Sequence, residues 1–335
     1  MLRFFRTNSA IDETAATTKK RSLILIALIC LVVYMVGALG SNFIIAIPTY
    51  AAVSEDPEVV ALMSQSDVDN ETMSKTLDEA LTRFYADAPI WVNYVNLFST
   101  VAVIIAVVAY CVIVEKRRLF TVGLAKKGML REYLVGLLIG VLMFSFAYGC
   151  AILSGDISFG GFNAGVSYES ILIFFLAYII QGASEEIMLR GFLFTTVAAN
   201  QGVLIALLLN SGVFAWLHFA NPGITPLAVF NLFLFGVFAT LFYLRRGSIW
   251  GICAIHSVWN FAQGNIFGCS VSGGDVSETL FTTVHNGSTL WSGGAFGPEG
   301  GLGVTVVFAI GIIVLAPMKN KNVKDFFSVR CKHFV

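Results

Sequence analysis

Eight long apolar runs divide this sequence, and they restrict the folds available to it. A helix needs about 20 consecutive apolar residues to cross a bilayer, and in hydrocarbon only helices and closed barrels satisfy every backbone hydrogen bond internally. The runs cover residues 23–47, 90–114, 133–153, 170–196, 203–219, 226–244, 249–267 and 302–316. We therefore predict an all-α protein, a polytopic membrane helix bundle of about eight transmembrane helices around a central intramembrane cavity.

Two of the runs are short and one is long. The fifth and the eighth barely reach the length of a span, whereas the fourth is long enough to tilt or to break near Gly182 or Gly191. The first run exceeds the roughly 7–15-residue core of a cleaved signal peptide, so we interpret it as a retained signal anchor.

Composition agrees with a membrane protein. Of the 335 residues, 57% are hydrophobic and 13% are charged, against about a quarter charged in soluble domains. The lipid bilayer is therefore the first expected partner, and we expect no nucleic-acid partner. The six cysteines contain no C-x-x-C pair and no metal-finger spacing, which favours small apolar packing residues; they are Cys30, Cys111, Cys150, Cys253, Cys269 and Cys331.

Positively charged residues flank the runs unevenly. Lys and Arg prefer the cytoplasmic side in short segments beside membrane spans. If residues 1–22 are cytoplasmic, alternating spans put eighteen of the 21 Lys and Arg residues on that side; Lys75 and Arg83 lie outside, and Arg190 lies within the membrane. We therefore expect both termini to be cytoplasmic in a multi-pass plasma-membrane protein, with a bacterial source favoured.

The segments between the runs differ in character. Nine acidic residues lie in segment 49–89, where apolar residues at helical spacing predict a helix over residues 71–85. We interpret this segment as a solvated, amphipathic flap. Segment 268–300 holds eight glycines and many Ser and Thr, which is typical of a loop. Within the third run, Gly136 and Gly140 are a weak signature of close helix packing.

Three ionisable residues lie inside the fourth run: Glu185, Glu186 and Arg190. Charges in a bilayer are costly, so such residues indicate function by default. On a helix, residues four apart share a face and adjacent residues diverge by about 100°. We therefore expect Arg190 to neutralise Glu186 and Glu185 to face a cavity. A carboxylate in that position can take a proton from water as a general base.

Further polar residues lie in two other runs. The fifth contains Phe214 and His218, and the seventh contains His256 and Asn260, each pair four residues apart. Any one of these residues alone favours a packing role, because polar side chains commonly bridge membrane helices. Two carboxylates, an arginine, two histidines and an amide on three spans exceed what packing requires, so we interpret them as one active site.

These residues form three motifs, E-E-x-x-x-R, F-x-x-x-H and H-x-x-x-N, on separate predicted helices. The set resembles the intramembrane CAAX-protease and bacteriocin-processing (CPBP) family, which includes the type II CAAX prenyl endopeptidases. The resemblance covers residues 168–268. It implies an eight-helix intramembrane glutamic-type endopeptidase that cleaves a membrane-associated peptide or protein.

The resemblance also implies a role for each motif residue. Glu185 is expected to act as general base with His218 as its partner on the water, and His256 and Asn260 as oxyanion donors. The supporting residues are Glu186, Arg190 and Phe214. The sequence lacks the H-E-x-x-H spacing of zinc peptidases, so we expect no metal and no other cofactor.

The depths of the two histidines conflict with straight helices that all begin at the same depth in the membrane. At 1.5 Å per residue, His256 lies roughly 10 Å deep and His218 roughly 22 Å deep from the same side. Either the fifth helix starts deeper, or the turn Asn221-Pro222-Gly223 lies within the protein. Irregular backbone at that depth is tolerated where it lines a cavity.

The sequence thus divides into four parts: a cytoplasmic tail (1–22), N-terminal membrane helices with the acidic loop (23–167), a catalytic membrane core (168–268), and a Gly-rich loop, last span and basic cytoplasmic tail (269–335). Two other functions remain open. A transporter would also bury Glu, Arg and His, although it would usually show two similar halves. A non-catalytic peptide-binding or immunity protein would share the fold, although no catalytic residue is missing.

Overall fold

A computed structural model describes residues 7–320, which form thirteen α-helices and two short strands. In chain order the helices are α1 (Ser9–Thr17), α2 (Leu23–Ser54), α3 (Pro57–Met63), α4 (Asn70–Ala86), α5 (Trp91–Ser99), α6 (Val101–Ala109), α7 (Met129–Leu153), α8 (Tyr168–Glu186), α9 (Thr195–Gln201), α10 (Val203–Leu217), α11 (Pro226–Arg246), α12 (Trp250–Phe261) and α13 (Leu302–Leu315). π-Helical stretches extend α6, α8 and α12; they are Tyr110–Val114, Ile187–Phe194 and Ala262–Ile266. Single 3₁₀ turns occur at Leu119–Val122, Gly294–Phe296 and Pro298–Gly300.

The polytopic helical membrane bundle is confirmed. Five stretches among the described residues are long and apolar enough to cross a membrane: Leu23–Ser54, Trp91–Val114, Met129–Leu153, Tyr168–Gln201 and Pro226–Arg246. The apolar helices α10 and α13 are shorter. The remaining predicted run, 249–267, corresponds to α12 and its π-helical extension, where every residue from Gly251 to Asn260 is buried. This helix therefore lies in the centre of the bundle.

Two helical stretches are longer than their predicted runs. Helix α2 continues past residue 47, through Pro48, to Ser54. Its 32 residues span about 48 Å at 1.5 Å per residue, more than the roughly 30 Å of bilayer hydrocarbon, so one end extends beyond the apolar layer. The fourth run does not break at Gly182 or Gly191. It stays helical from Tyr168 to Gln201, widening into π-helix instead.

The polar segment before the first span contains a docked helix. Asn8 caps α1 by accepting a hydrogen bond from the backbone N–H of Ile11, and Ile11 is buried against the bundle. Farther on, the buried Glu115 carboxylate pairs with Arg117 at 3.1 Å and also with Arg21. Part of the predicted tail 1–22 is thereby fixed to the protein. Residues 1–6 and 321–335, including Cys331 and most of the predicted basic tail, lie outside the described residues.

The acidic segment between the first two spans folds into α3 and α4, and the helix predicted over residues 71–85 is confirmed. Leu77, Leu81 and Phe84 pack against the buried Val59 and Ala80. The Arg83 guanidinium lies 3.0 Å from the Asp56 carboxylate, and its hydrogen bonds hold the pKa of Asp56 below the usual value. The segment is thus a small, ordered unit at the membrane surface.

A two-stranded sheet lies in segments where no strand was predicted. Strands β1 (Ile157–Phe162) and β2 (Phe281–His285) pair antiparallel, with Ile157 opposite His285 and Phe162 opposite Phe281. A register shift interrupts the ladder between Phe159 and Gly161. The sheet connects the segment before α8 to the Gly-rich loop, residues 268–300, and gives that loop a fixed edge.

Three side chains from outside the Gly-rich loop hold it against the bundle. Asn231 on α11 donates to the backbone carbonyl of Glu299 at 2.8 Å. Gln263 donates to the carbonyl of Ser270 at 2.6 Å. Asp156 accepts a bond from the backbone N–H of Trp291 at 2.7 Å. These bonds hold the Gly-rich loop in one conformation over one end of the bundle.

Helices α7 and α12 pack at very short range because α7 presents glycine there. A Cβ added at Gly136 would lie 2.2 Å from the carbonyl oxygen of Gly251, and one added at Gly140 would lie 2.4 Å from a methyl carbon of Val258. The predicted close-packing role of these two glycines is confirmed. The contact positions α12, which carries His256 and Asn260.

We predict that Gly136→Ala lowers the free energy of unfolding by about 1–3 kcal/mol, because the new methyl group forces α7 and α12 apart. Gly149→Ala on the same helix is the matched control: a Cβ there meets nothing within 4 Å, and alanine favours helix by up to about 1 kcal/mol. Thermal unfolding in detergent measures both. Equal stability of the two variants would contradict the packing described.

Candidate active site

The two adjacent glutamates have different surroundings. The side chains of Glu186 and Arg190 are fully buried, and Glu186 Oε1 accepts a hydrogen bond from Arg190 Nη1 at 2.9 Å. The Glu185 side chain, one residue earlier, is 31% exposed. This agrees with the helix-face argument, because positions 186 and 190 share a face that position 185 does not. Only Glu185 is accessible to a molecule in a cavity.

Glycine at position 182 allows the helices of the site to approach one another. A Cβ added there would lie 2.5 Å from the Ser257 hydroxyl and 2.9 Å from its backbone nitrogen. With α8 this close to α12, the Nδ1 atom of His256 reaches Glu186 Oε1 at 2.8 Å. The same carboxylate oxygen therefore binds Arg190 and orients His256.

Two aromatic rings enclose Arg190. Its guanidinium carbon lies 4.8 Å from the ring centroid of Phe214 and 5.1 Å from that of Phe235. Among the described residues, its Nε and Nη2 atoms have no hydrogen-bond partner, and neither has Glu186 Oε2. Stacking on aromatic faces offsets part of that loss when the cation is desolvated. Phe214, the first residue of the second motif, therefore supports the arginine of the first.

Each histidine has one ring nitrogen bound and the other free. His218 Nδ1 lies 2.8 Å from the Phe214 carbonyl oxygen, which can only accept, so Nδ1 carries the proton and Nε2 of the neutral ring is a base. His256 Nδ1 faces the Glu186 carboxylate and is likewise protonated. His256 Nε2 lies 3.8 Å from Glu185 Oε2, beyond hydrogen-bond distance.

A glutamine connects the first motif to the third. Gln181 Nε2 donates to Glu185 Oε1 at 2.5 Å, and Gln181 Oε1 accepts from Asn260 Nδ2 at 3.0 Å. Gln181 thus fixes the accessible glutamate, and Asn260 keeps its second amide hydrogen for another acceptor. The spacing of Gln181 four residues before Glu185 is a signal that could have identified it from sequence.

Two cavities meet at the site. The first, of about 310 Å³, is lined by Glu185, His218, His256 and Asn260 together with residues of the Gly-rich loop. The second, of about 380 Å³, lies among α2, α6, α8 and α10. Both are lined by Glu185, His218 and Asn221. The structure therefore brings the four proposed catalytic residues to one cavity, and Glu185 and His218 also border the other.

The turn after α10 explains how the two histidines meet. His218 ends this short helix, and Asn221 donates from its side chain to the Ser272 carbonyl of the Gly-rich loop at 2.9 Å. A Cβ added at Gly223 would lie 2.8 Å from the backbone nitrogen of Phe296. The turn thus contacts the loop, and Asn221 borders the cavity, whereas Pro222 and Gly223 are exposed.

Sequence reasoning missed four residues of the site besides the motifs. Gln181 orients Glu185, Asn221 borders both cavities, Phe235 stacks on Arg190, and Glu299 reaches the first cavity from the Gly-rich loop. Asn221 follows His218 by three residues, in the turn that the sequence analysis considered as part of a cavity. Phe235 and Glu299 are far from the motifs in sequence, so only the fold reveals them.

A comparison with known protein families shows which proteins this part of the chain resembles. Residues 167–262 match the family model described as type II CAAX prenyl endopeptidase Rce1-like. This segment is similar to the CAAX-protease family. The match includes all seven motif residues, from Glu185 to Asn260, and it supports an intramembrane endopeptidase. Searches of curated proteins and of solved structures each found no match.

We predict that Glu186→Gln destabilises the protein by about 3–5 kcal/mol, because it leaves the buried Arg190 charge unpaired. The double variant Glu186→Gln/Arg190→Met removes both charges and should recover much of that loss, since Met enters a site walled by Phe214 and Phe235. Thermal unfolding in detergent compares the stability of wild type, Glu186→Gln and the double variant. Glu185→Gln is measured beside them and should be as stable as wild type. A Glu186→Gln protein as stable as wild type would contradict the pairing.

Proposed function

We propose that this chain is an intramembrane glutamic-type endopeptidase that cleaves a membrane-associated peptide or protein without a metal. The observation that carries the proposal is the division between the two glutamates. Glu185 is accessible in a cavity that His218, His256 and Asn260 also line, whereas Glu186 is held by Arg190 and His256. The family match to residues 167–262 supports the general class of reaction.

Glu185 acts as the general base in this proposal. Gln181 holds one of its carboxylate oxygens, and the other is left for a water molecule. His218 accepts a second hydrogen bond from that water through Nε2, since its Nδ1–H is bound to the Phe214 carbonyl. The water attacks the peptide carbonyl carbon as Glu185 takes its proton. The tetrahedral intermediate then collapses with cleavage of its C–N bond as Glu185 returns the proton to the leaving amine, which regenerates the enzyme.

His256 and Asn260 stabilise the oxyanion that forms on the carbonyl. His256 donates from Nε2 when its ring is protonated, and the Glu186 carboxylate accepts at Nδ1 and orients the ring. Asn260 donates the amide hydrogen that Gln181 does not use. Donors fixed in a water-poor cavity stabilise developing charge far better than water does.

The walls of the two cavities favour a substrate that lies within or beside the bilayer. The second cavity borders α2, whose apolar side chains, Leu39 and Phe43 among them, are exposed as on a lipid-facing helix. A peptide extended across Glu185 and His218 would occupy both cavities at once. The Lys and Arg distribution adds the proposal that both termini are cytoplasmic.

We predict that Glu185→Gln abolishes cleavage while the protein accumulates normally, because it removes the proton acceptor with little change in shape. General-base catalysis contributes about 10²–10⁴-fold. Mass spectrometry of membrane-associated peptides from cells carrying each form measures the effect. Glu169→Gln, an exposed isosteric change in the first turn of α8, is the matched control. Identical peptide profiles for wild type and Glu185→Gln would refute the proposed function.

We also predict that the purified protein keeps its activity after exhaustive chelation, because the motif spacing is not that of a zinc peptidase. Elemental analysis should find no stoichiometric zinc in the active preparation. If chelation abolishes cleavage and zinc alone restores it, Glu185, His218 and His256 must be reassigned as metal ligands.

A further inference from the structure

Glu299 occupies the catalytic cavity although it lies outside the family-matched segment. It belongs to the 3₁₀ turn Pro298–Gly300 at the end of the Gly-rich loop, and it lines the first cavity with Glu185 and His218. Its backbone carbonyl accepts a bond from Asn231 at 2.8 Å. The proposed peptidase chemistry gives this carboxylate no role.

Bonds to the Gly-rich loop fix one oxygen of the Glu299 carboxylate. Oε2 accepts from the backbone N–H and from the hydroxyl of Ser272, each at 2.7 Å. Ser272 has a φ of 49°, a left-handed conformation that non-glycine residues rarely adopt. Glu299 offsets that strain with two bonds, so its side chain is held in one orientation towards the cavity.

No lysine or arginine pairs with Glu299 within the described part of the chain; the groups that favour its charge there are the rings of His218 and His256. Its second oxygen, Oε1, has no hydrogen bond there, and neither Lys nor Arg lines the cavity. The carboxylates that do line it are Glu185, Asp275 and Glu299. Desolvation raises the pKa of the half-buried Glu299 carboxyl, and its bonds to Ser272 and the nearby rings of His218 and His256 oppose that rise without cancelling it. A bound cation would restore the charged form, because buried charges require partners.

We propose that Glu299 is a specificity-determining residue that binds a lysine or arginine side chain of the substrate within the catalytic cavity. The proposal rests on the proposed peptidase function and adds the class of residue that this part of the cavity accepts. An acidic side chain or a free carboxylate at the same position is rejected, since it would meet the like charges of Glu299, Glu185 and Asp275. The apolar cavity walls, including Leu232 and Phe308, accommodate the methylene stem of a basic side chain.

The test measures binding and cleavage separately. The probe is a library of N-terminally palmitoylated hexapeptides in which Lys, Gln, Glu and Leu occupy every position equally. Purified protein in detergent retains bound peptides, and protein in liposomes generates products; mass spectrometry reads both. The variants are Glu299→Gln, which keeps the shape of the side chain, and Glu278→Gln as matched control. Glu278 belongs to the same loop and bonds to the backbone N–H of Ser167, outside the cavity.

Wild type and Glu278→Gln should enrich Lys over Glu at one peptide position by at least about tenfold, the size expected for one charge-assisted hydrogen bond. Glu299→Gln should lose that enrichment while it still retains and cleaves peptides with Gln or Leu there. Ser272→Ala, which leaves the charge in place, should keep the enrichment. This variant separates charge recognition from a purely structural role for Glu299.

Three outcomes would overturn the inference: no Lys enrichment by wild type, an unchanged preference in Glu299→Gln, or a loss of preference in Ser272→Ala equal to that in Glu299→Gln. Failure of the proposed function is distinguishable from these. Lys-selective retention that depends on Glu299, without cleavage by wild type, would support the inference and refute the peptidase. Cleavage by wild type without a preference for Lys would support the peptidase function and refute the inference about Glu299.

Discussion

A single carboxylate oxygen organises the proposed catalytic centre. Glu186 Oε1 lies 2.9 Å from Arg190 and 2.8 Å from His256, and all three side chains are buried. A buried charge without a partner is strongly destabilising, so the arginine fixes the glutamate and the glutamate fixes the histidine. The close approach at Gly182 makes the second bond possible. The neighbouring Glu185 remains accessible because positions 185 and 190 do not share a helix face.

The Gly-rich loop gives this centre its enclosure. Asn231 and Gln263 bind its backbone, while Asn221 joins it to the turn that follows His218. The loop also inserts Glu299 into the cavity. The family-matched segment supplies the motif residues, and a segment beyond the match supplies part of the cavity wall. Motif residues support the class of reaction, whereas the loop is the part expected to select the substrate.

The sequence predicted what depends on local periodicity. Apolar runs of about 20 residues identify membrane helices, and the i, i+4 spacing of Glu186 and Arg190 predicts their pairing. It did not predict the strand Phe281–His285, because a Gly- and Ser-rich setting masks strand preference that only pairing with a distant segment reveals. Nor did it predict Phe235 or Glu299, whose places in the site come from packing between elements far apart in the chain.

The most direct test of the division between the glutamates compares cleavage per folded molecule in Glu185→Gln and in Glu186→Gln/Arg190→Met. The double variant removes both buried charges, so loss of folded protein does not obscure its cleavage rate. It loses the group that orients His256 but keeps His256 and Asn260 themselves, and removal of a whole oxyanion donor costs about 10²–10³-fold. Glu185→Gln loses the general base itself, worth about 10²–10⁴-fold. The account predicts that the double variant cleaves slowly but faster than Glu185→Gln. A Glu185→Gln protein that cleaves well beside an inactive, folded double variant would contradict it and assign the general base to Glu186.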